Sequence, residues 1–330
     1  MIGSFIPFAA AWEAITRNEA RSYPVTKGNG QSGFERIHRG QVPEIKHTPK
    51  FKLPKDAAYF TIGSCFARNV ERALISREMN VLNTECKIPG EYYAAKGPDN
   101  RNSALNAYNP HSMRDLLSYA DREDWQTIGA LQISEAEDVW ADMLLSGLRL
   151  LTQGELLNVR TQLRSTYQLL PEADVFIMTL GYTESWRDDA SGIFTNRSPA
   201  GARQTQRYGQ SRFSFFNADA VSVIEAINAS IATVRNKTNG RVRTILTVSP
   251  VPLSGTYSGM DVISANVYSK STLVTAARQI ASQHTDVDYF PSYEMVSLAK
   301  PEVAWKSDGA HVQPALVDAV IGRFVELYID

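Results

Sequence analysis

The segment Ala173-Asp174-Val175-Phe176-Ile177-Met178-Thr179-Leu180-Gly181 constrains the fold more than any other stretch of the chain. A strand that is apolar on successive residues has no face for water. It belongs in a sheet covered on both sides, as parallel sheets are. Val242 to Val248 has the same character, and Tyr59-Phe60-Thr61-Ile62 is a shorter apolar run that ends in Gly63. Val81-Leu82 and Val287 to Phe290 read as further short strands. Between these runs the period changes. Phe66, Val70, Ala73 and Leu74 fall at i, i+4, i+7 and i+8, the stripe of an amphipathic helix. Helices are also predicted near 218–237, near 264–283 and from Pro314 to Tyr328. Strands alternating with helices predict an α/β fold, a sandwich with a mostly parallel sheet.

Around this frame the chain divides unevenly. Residues 1–57 carry scattered Pro, Gly and basic residues without sustained periodicity, and read as an irregular arm packed on a domain spanning 58–330. An insertion is expected at about 84–170. It begins as a long loop over 84–110, with Pro89, Gly90, Gly97, Pro98 and many Asn, and is mostly helical over 111–170. A second long loop is expected at 185–217.

Composition excludes several classes of function. With 330 residues, 43% hydrophobic and 21% charged, the chain is an ordinary globular protein, and a net charge of -1 gives no general attraction to nucleic acid or anionic membranes. Two cysteines, Cys65 and Cys86, cannot build a disulfide scaffold. His38, His47, His111 and His284 show no ligand spacing, so no metal is expected. No apolar run reaches the roughly 18 to 20 residues of a membrane span. The N-terminal MIGSFIPFAAAW lacks Lys or Arg before its apolar stretch, which favours a cytoplasmic location over secretion.

Ligands of parallel α/β sheets bind beyond the carboxyl ends of the strands, where the chemically informative residues cluster. Gly63-Ser64-Cys65 is a strand-to-helix turn. A nucleophile there meets free N–H groups and the helix dipole, which favour a thiolate and offer donors to an oxyanion. Taken alone, the turn reads more readily as a buried small cysteine at a packed turn. In Asp308-Gly309-Ala310-His311, a carboxylate three residues before the imidazole can fix its tautomer and orientation, as a catalytic histidine requires. A solvated surface loop gives the same pattern. Gly181-Tyr182-Thr183-Glu184 ends the best strand. Its polar side chains suit an oxyanion donor or substrate contact, or else a helix N-cap. Arg187, Arg197, Arg203, Arg207 and Arg212 punctuate 185–217 and would suit a phosphate or acidic sugar, or simply a solvated loop. Tyr92, Tyr93, Tyr108 and Trp186 could stack on sugar rings or serve packing.

The order of these pieces resembles the layout of the SGNH/GDSL hydrolases and acyltransferases. More narrowly, the chain resembles the GSCFA-domain family through Gly63-Ser64-Cys65-Phe66-Ala67. Thr179 to Trp186, Ser249-Pro250-Val251-Pro252 and Tyr289 to Glu294 are similar as well. The resemblance spans roughly 55–315. It implies a three-layer α/β/α sandwich with a flavodoxin-like sheet, and O-acyl chemistry, often on glycans. Aligning Gly63 with the Gly of the SGNH Gly-Asp-Ser-Leu motif puts Cys65 at the nucleophile position and makes Ser64 the alternative. The middle SGNH motif, Gly-x-Asn-Asp, reads Gly181-Tyr182-Thr183-Glu184 here, so Thr183 would take the oxyanion-donor place. Gly90, Asn106 and Asn109 are further candidates for oxyanion or substrate contacts.

The expected function is therefore an acyl-transfer enzyme with Cys65 as nucleophile, His311 as base and acid, and Asp308 as its orienter. It would act on O-acyl, foremost O-acetyl, groups of a carbohydrate or glycan. The lean is toward an O-acetyltransferase with acetyl-CoA as candidate donor and no permanently bound cofactor. A carbohydrate esterase is the alternative, and a catalytically decayed glycan-binding protein is the alternative of another class. Oligomeric state is not legible.

Overall fold

The computed structural model describes residues 2–3, 5–25, 30–95 and 103–330, with backbone alone at 209–210. In chain order the strands are β1 (Ala58–Gly63), β2 (Asn80–Val81), β3 (Ala130–Ser134), β4 (Val139–Asp142), β5 (Val175–Leu180), β6 (Glu184–Asp188), β7 (Phe194–Thr195), β8 (Phe213–Asn217), β9 (Arg243–Val248) and β10 (Val287–Tyr289). The α-helices are α1 (Phe8–Arg17), α2 (Gly33–His38), α3 (Cys65–Ile75), α4 (Pro110–Leu117), α5 (Gln153–Gln168), α6 (Arg203–Arg212), α7 (Ala220–Lys237), α8 (Val262–Gln283), α9 (Ser292–Ser297), α10 (Pro301–Ala304) and α11 (Pro314–Tyr328).

The central sheet has the order β2-β1-β5-β9-β10, with every pairing parallel. β1 and β5 are buried along their whole length, as their unbroken apolar runs require. Successive residues serve opposite faces. Tyr59, Val175 and Ile177 pack with Phe66, Val70 and Leu74 of α3 and with Val320 and Phe324 of α11. Phe60, Ile62, Phe176 and Met178 pack with Leu163 of α5, Ile227 of α7 and Leu273 of α8. The result is the three-layer α/β/α sandwich expected from the sequence. Strand order reverses between β1 and β5, because the chain steps from β1 outward to β2 and then returns to β1's other side. A crevice opens at such a switch point, beyond the strands' carboxyl ends.

The peripheral segments depart from expectation. Residues 111–170, read as mostly helical, contain the antiparallel hairpin β3–β4 between α4 and α5. The stretch 185–217, read as a long loop, folds as the antiparallel sheet β7-β6-β8 with α6 inserted. The predicted strand at Val81-Leu82 is Asn80–Val81, with Leu82 opening a 3₁₀ turn. The 84–110 segment holds short 3₁₀ turns at Gly90–Tyr92 and Ser103–Leu105, and Gly97 and Pro98 lie outside the described residues. Within 1–57, α1 buries no residue, while α2 starts in a reciprocal capping box between Ser32 and Glu35. Among the described residues no helix is long and apolar enough to cross a membrane.

The hairpin is anchored by one buried ion pair. Arg160 of α5 donates from Nε and Nη2 to Asp142 at 2.7 and 2.9 Å, and both side chains are fully buried. Asp142 Oδ1 also accepts from the N–H groups of Leu144 and Leu145 at 2.9 and 3.1 Å, which fixes the turn leading to Ser146 and Gly147. Removing one partner strands the other charge in the core. Arg160→Met should therefore lower stability by about 3–5 kcal/mol in urea unfolding, the cost of an uncompensated buried charge.

Candidate active site

Three backbone segments converge at the switch point. β1 ends at Gly63, β5 leads into Gly181, and the segment 106–108 crosses both. Ala107 N–H donates to Gly63 O at 2.9 Å, and Gly181 and Tyr182 N–H both donate to Tyr108 O at 2.9 and 3.0 Å. This approach leaves no space for side chains. A Cβ on Gly63 would lie 2.6 Å from Thr179 O, and one on Gly181 would lie 2.6 Å from Tyr108 O.

Beside this junction lies a cleft of about 830 Å³. One wall is the polar stripe of α3, where Cys65, Arg68, Asn69, Arg72 and Ala73 follow at i, i+3, i+4, i+7 and i+8. The opposite stripe of the same helix, Phe66, Val70 and Leu74, packs on the sheet. Ser103, Asn106, Tyr108, Ser146 and Gly147 add hydroxyl and amide groups. Lys306, Asp308, His311 and the first turn of α11 complete the lining. Asp308 and His311, 243 or more positions from Cys65 in sequence, thus share its cleft.

The Asp308–His311 unit is built within a tight hairpin. Trp305 and Val312 pair as an antiparallel bridge, and Lys306 N–H donates to His311 O at 2.8 Å. Gly309, with φ 68°, makes the left-handed turn. Asp308 Oδ1 accepts from Ala310 and His311 N–H, both at 2.9 Å, while Oδ2 lies 2.6 Å from His311 Nδ1. The two backbone donors, with the imidazole, hold the Asp308 carboxyl far below the usual carboxylate range. The carboxylate fixes Nδ1 as the protonated nitrogen and leaves Nε2 as the acceptor. Among the described residues no hydrogen bond joins His311 to Cys65 or Ser64, and the His311 side chain is 58% exposed.

Cys65 is the first residue of α3 and half-buried. Its thiol pKa departs from the depressed value expected at a helix N-terminus. Burial pushes it up, outweighing the Lys270 charge, the N–H groups of Phe66 and Cys65, and Arg68, all of which pull it down. Ser64 precedes it as the N-cap but makes no side-chain cap, and among the described residues its buried Oγ has no hydrogen-bond partner. Cys65, not Ser64, lines the cleft. Arg68 is itself buried, and pairs with Glu71 at 2.7 Å beneath the cleft floor.

Of the other sequence candidates, Asn106 reaches the site. It is 5% exposed and lines the cleft, its Nδ2 donates to Tyr108 OH at 3.3 Å, and among the described residues its Oδ1 has no partner. Thr183 does not reach it. Its hydroxyl donates to Asn217 Oδ1 at 2.7 Å and its N–H donates to Ser269 Oγ at 2.9 Å, so its groups are spent on β8 and α8. Glu184 opens β6 instead of capping a helix. Its carboxylate accepts from Tyr257 N–H at 3.0 Å and from the Thr256 hydroxyl, and so anchors the 256–258 turn. Gly181 serves the backbone junction. Asn109 caps α4 by accepting from Ser112 N–H at 2.9 Å, and Gly90 heads a 3₁₀ turn away from the cleft lining.

The arginines of 185–217 are also elsewhere. Arg187 pairs with Asp189 and Arg212 with Asp188, both at 2.7 Å. Among the described residues the cleft's cations are Arg68, Arg72 and Lys306. Trp186 packs with Phe215 and Tyr257, whereas Tyr108 is at the cleft, stacked on Tyr182 at 5.3 Å. Sequence reading also passed over Lys270, although its period carries a signal. Lys270, Leu273 and Ala277 fall at i, i+3 and i+7 on the buried stripe of α8.

Two outcomes check this geometry. Iodoacetamide should label Cys65 in the folded protein and spare Cys86, which is 3% exposed. By peptide mapping, the rate should climb at a pH above that of an ordinary thiol, near about 8.5. Thr183→Val should cost about 1–3 kcal/mol in urea unfolding, because Asn217 loses its donor, while Cys65 labelling stays unchanged.

Comparison with known proteins agrees with the motif at Gly63–Ala67. A search of curated proteins finds no match. The GSCFA family model matches residues 58–324, which takes in the central sheet, the Gly63–Ala67 turn and the Asp308–His311 hairpin. The chain belongs to the GSCFA family.

Proposed function

We propose that the protein is an acyl-transfer enzyme that works through a Cys65 thioester on O-acyl groups of a carbohydrate. The observation that carries this reading is the shared cleft. A half-buried thiol at a helix N-terminus lines the same cavity as a histidine whose tautomer is fixed by Asp308. In the reaction, His311 Nε2 takes the thiol proton as Cys65 Sγ bonds to the acyl carbon. The N–H groups of Cys65 and Phe66, with Asn106 Nδ2, are the candidate donors to the tetrahedral oxyanion. Collapse expels the donor's leaving group, which takes the proton from His311. An acceptor hydroxyl then gives its proton to His311 and attacks the thioester, and the thiolate leaves and is reprotonated. Among the described residues no hydrogen bond joins His311 to the thiol, and the mechanism has that contact form on substrate binding, since catalytic contacts often tighten only in the complex.

The hydroxyl- and amide-rich lining from Ser103, Asn106, Tyr108, Ser146 and Asn69 suits a sugar. Arg72 and Lys306 add charge suited to the phosphates of a donor such as acetyl-CoA. Hydrolysis is the second reading, favoured by the exposure of His311, which leaves water free to act as acceptor.

Intact mass after exposure to acetyl-CoA or p-nitrophenyl acetate tests both readings. One acetyl group should appear on Cys65 and be absent in Cys65→Ala. His311→Ala should slow its formation by about 10²–10⁴-fold, the usual contribution of general acid–base catalysis. Release to water without a sugar acceptor identifies an esterase, and acceptor-dependent release identifies a transferase. Wild-type acetylation rates in both Cys65→Ala and His311→Ala would overturn the mechanism and favour a glycan-binding role.

A further inference from the structure

Lys270 of α8 is 1% exposed. Its Nζ donates to the carbonyls of Gly181, Ser249 and Val251 at 2.6, 2.8 and 2.7 Å. Gly181 follows β5, while Ser249 and Val251 follow β9, the neighbouring strand. The lysine thus sits under the carboxyl ends of both strands, and its partner Gly181 packs against the turn that carries Cys65: a Cβ on Gly181 would lie 3.4 Å from Ser64 Cβ. Three acceptors call for three donors. An ammonium supplies them, whereas a neutral amine has two N–H bonds and would turn its lone pair toward an oxygen. The three carbonyls form a cage for a cation.

Burial pulls the Lys270 pKa down to about 7 and the charge on Cys65 pulls the other way; the three carbonyls, which can only accept, hold the third proton on Nζ and so favour the ammonium against burial. From the cysteine side, Lys270 is the largest influence favouring the thiolate, ahead of the helix N–H groups and Arg68. The remaining groups that sense the Cys65 charge are Tyr108 and Tyr182, both buried phenols held protonated. Asp308, His311, Arg72 and Lys306 line the same cleft as the thiol. A purely structural tie between two loops does not need an ion in the core, where desolvation is costly.

We propose that Lys270 is a positioning residue for the nucleophile, a buried ammonium caged by the Gly181, Ser249 and Val251 carbonyls that serves as the fixed counter-charge of the Cys65 thiolate. The proposal rests on the reading of Cys65 as nucleophile. Its test needs no acyl substrate, so a protein inactive on every ester still passes or fails it.

The experiment is the pH profile of Cys65 alkylation by iodoacetamide in wild type and Lys270→Met, which keeps side-chain length and removes the charge. An opposite charge nearby typically shifts a pKa by one unit or more, so the variant's profile should move to higher pH and its rate at pH 7 should fall about tenfold. A superimposable profile in folded Lys270→Met overturns the proposal, leaving Lys270 a structural tie. If Lys270→Met does not fold, the pair can be read from the lysine side, by NMR titration of isotopically labelled lysine in wild type and Cys65→Ala. The Lys270 signal should titrate at lower pH once the thiolate is gone, and identical titrations in the two proteins overturn the proposal.

Discussion

The structure depends on backbone meeting backbone where β1 and β5 end. Gly63 and Gly181 carry no side chain, so the 106–108 segment can lie across both strands and hydrogen-bond to each. That crossing closes one side of the crevice that the strand order opens. It also brings Asn106 to the first turn of α3, and it aims the Gly181 carbonyl at Lys270. The two glycines therefore control the cleft without lining it. Their packing is set by backbone geometry that a larger residue cannot share, which is why the turn after β1 and the end of β5 both carry Gly.

The electrostatics of the site are a contest between burial and fixed charge. Burial holds the Cys65 thiol above its ordinary range, even at a helix N-terminus with two cations near it. A thiol of this kind needs a base when it reacts. Asp308 is held ionised by backbone donors and keeps the imidazole in one tautomer, so in the proposed mechanism the base would be oriented before any substrate arrives. The charges nearest the thiol are buried or hydrogen-bonded to the protein, so salt screens them little.

Much of this was legible in the sequence, for reasons that differ by residue. Val175 to Leu180 announces a doubly covered strand because burial on both faces leaves no polar position. Cys65 and His311 are recognisable because a turn after a strand and a D-x-x-H hairpin are local patterns. Thr183 reads as an oxyanion donor in sequence, whereas its hydroxyl follows a distant partner, Asn217, on a strand that the sequence does not announce. Phe213–Asn217 is rich in aromatic residues suited to a strand, but its pairing partner β6 lies 25 or more residues earlier in the chain, and no short turn joins them. The hairpin β3–β4 was lost among helical neighbours because each strand is only four or five residues long. Lys270 was passed over because a charged side chain reads as solvated until three carbonyls are seen around it.

The Asp308–His311 hairpin has one further consequence. Every bond that orients the imidazole is made within four residues, from Asp308 to its own loop's N–H groups and ring. The hairpin therefore carries the histidine's alignment with it, as a self-contained cassette. Aim and distance are separate degrees of freedom. A small displacement of this loop relative to α3 would change how far the imidazole stands from the thiol without altering which nitrogen it presents.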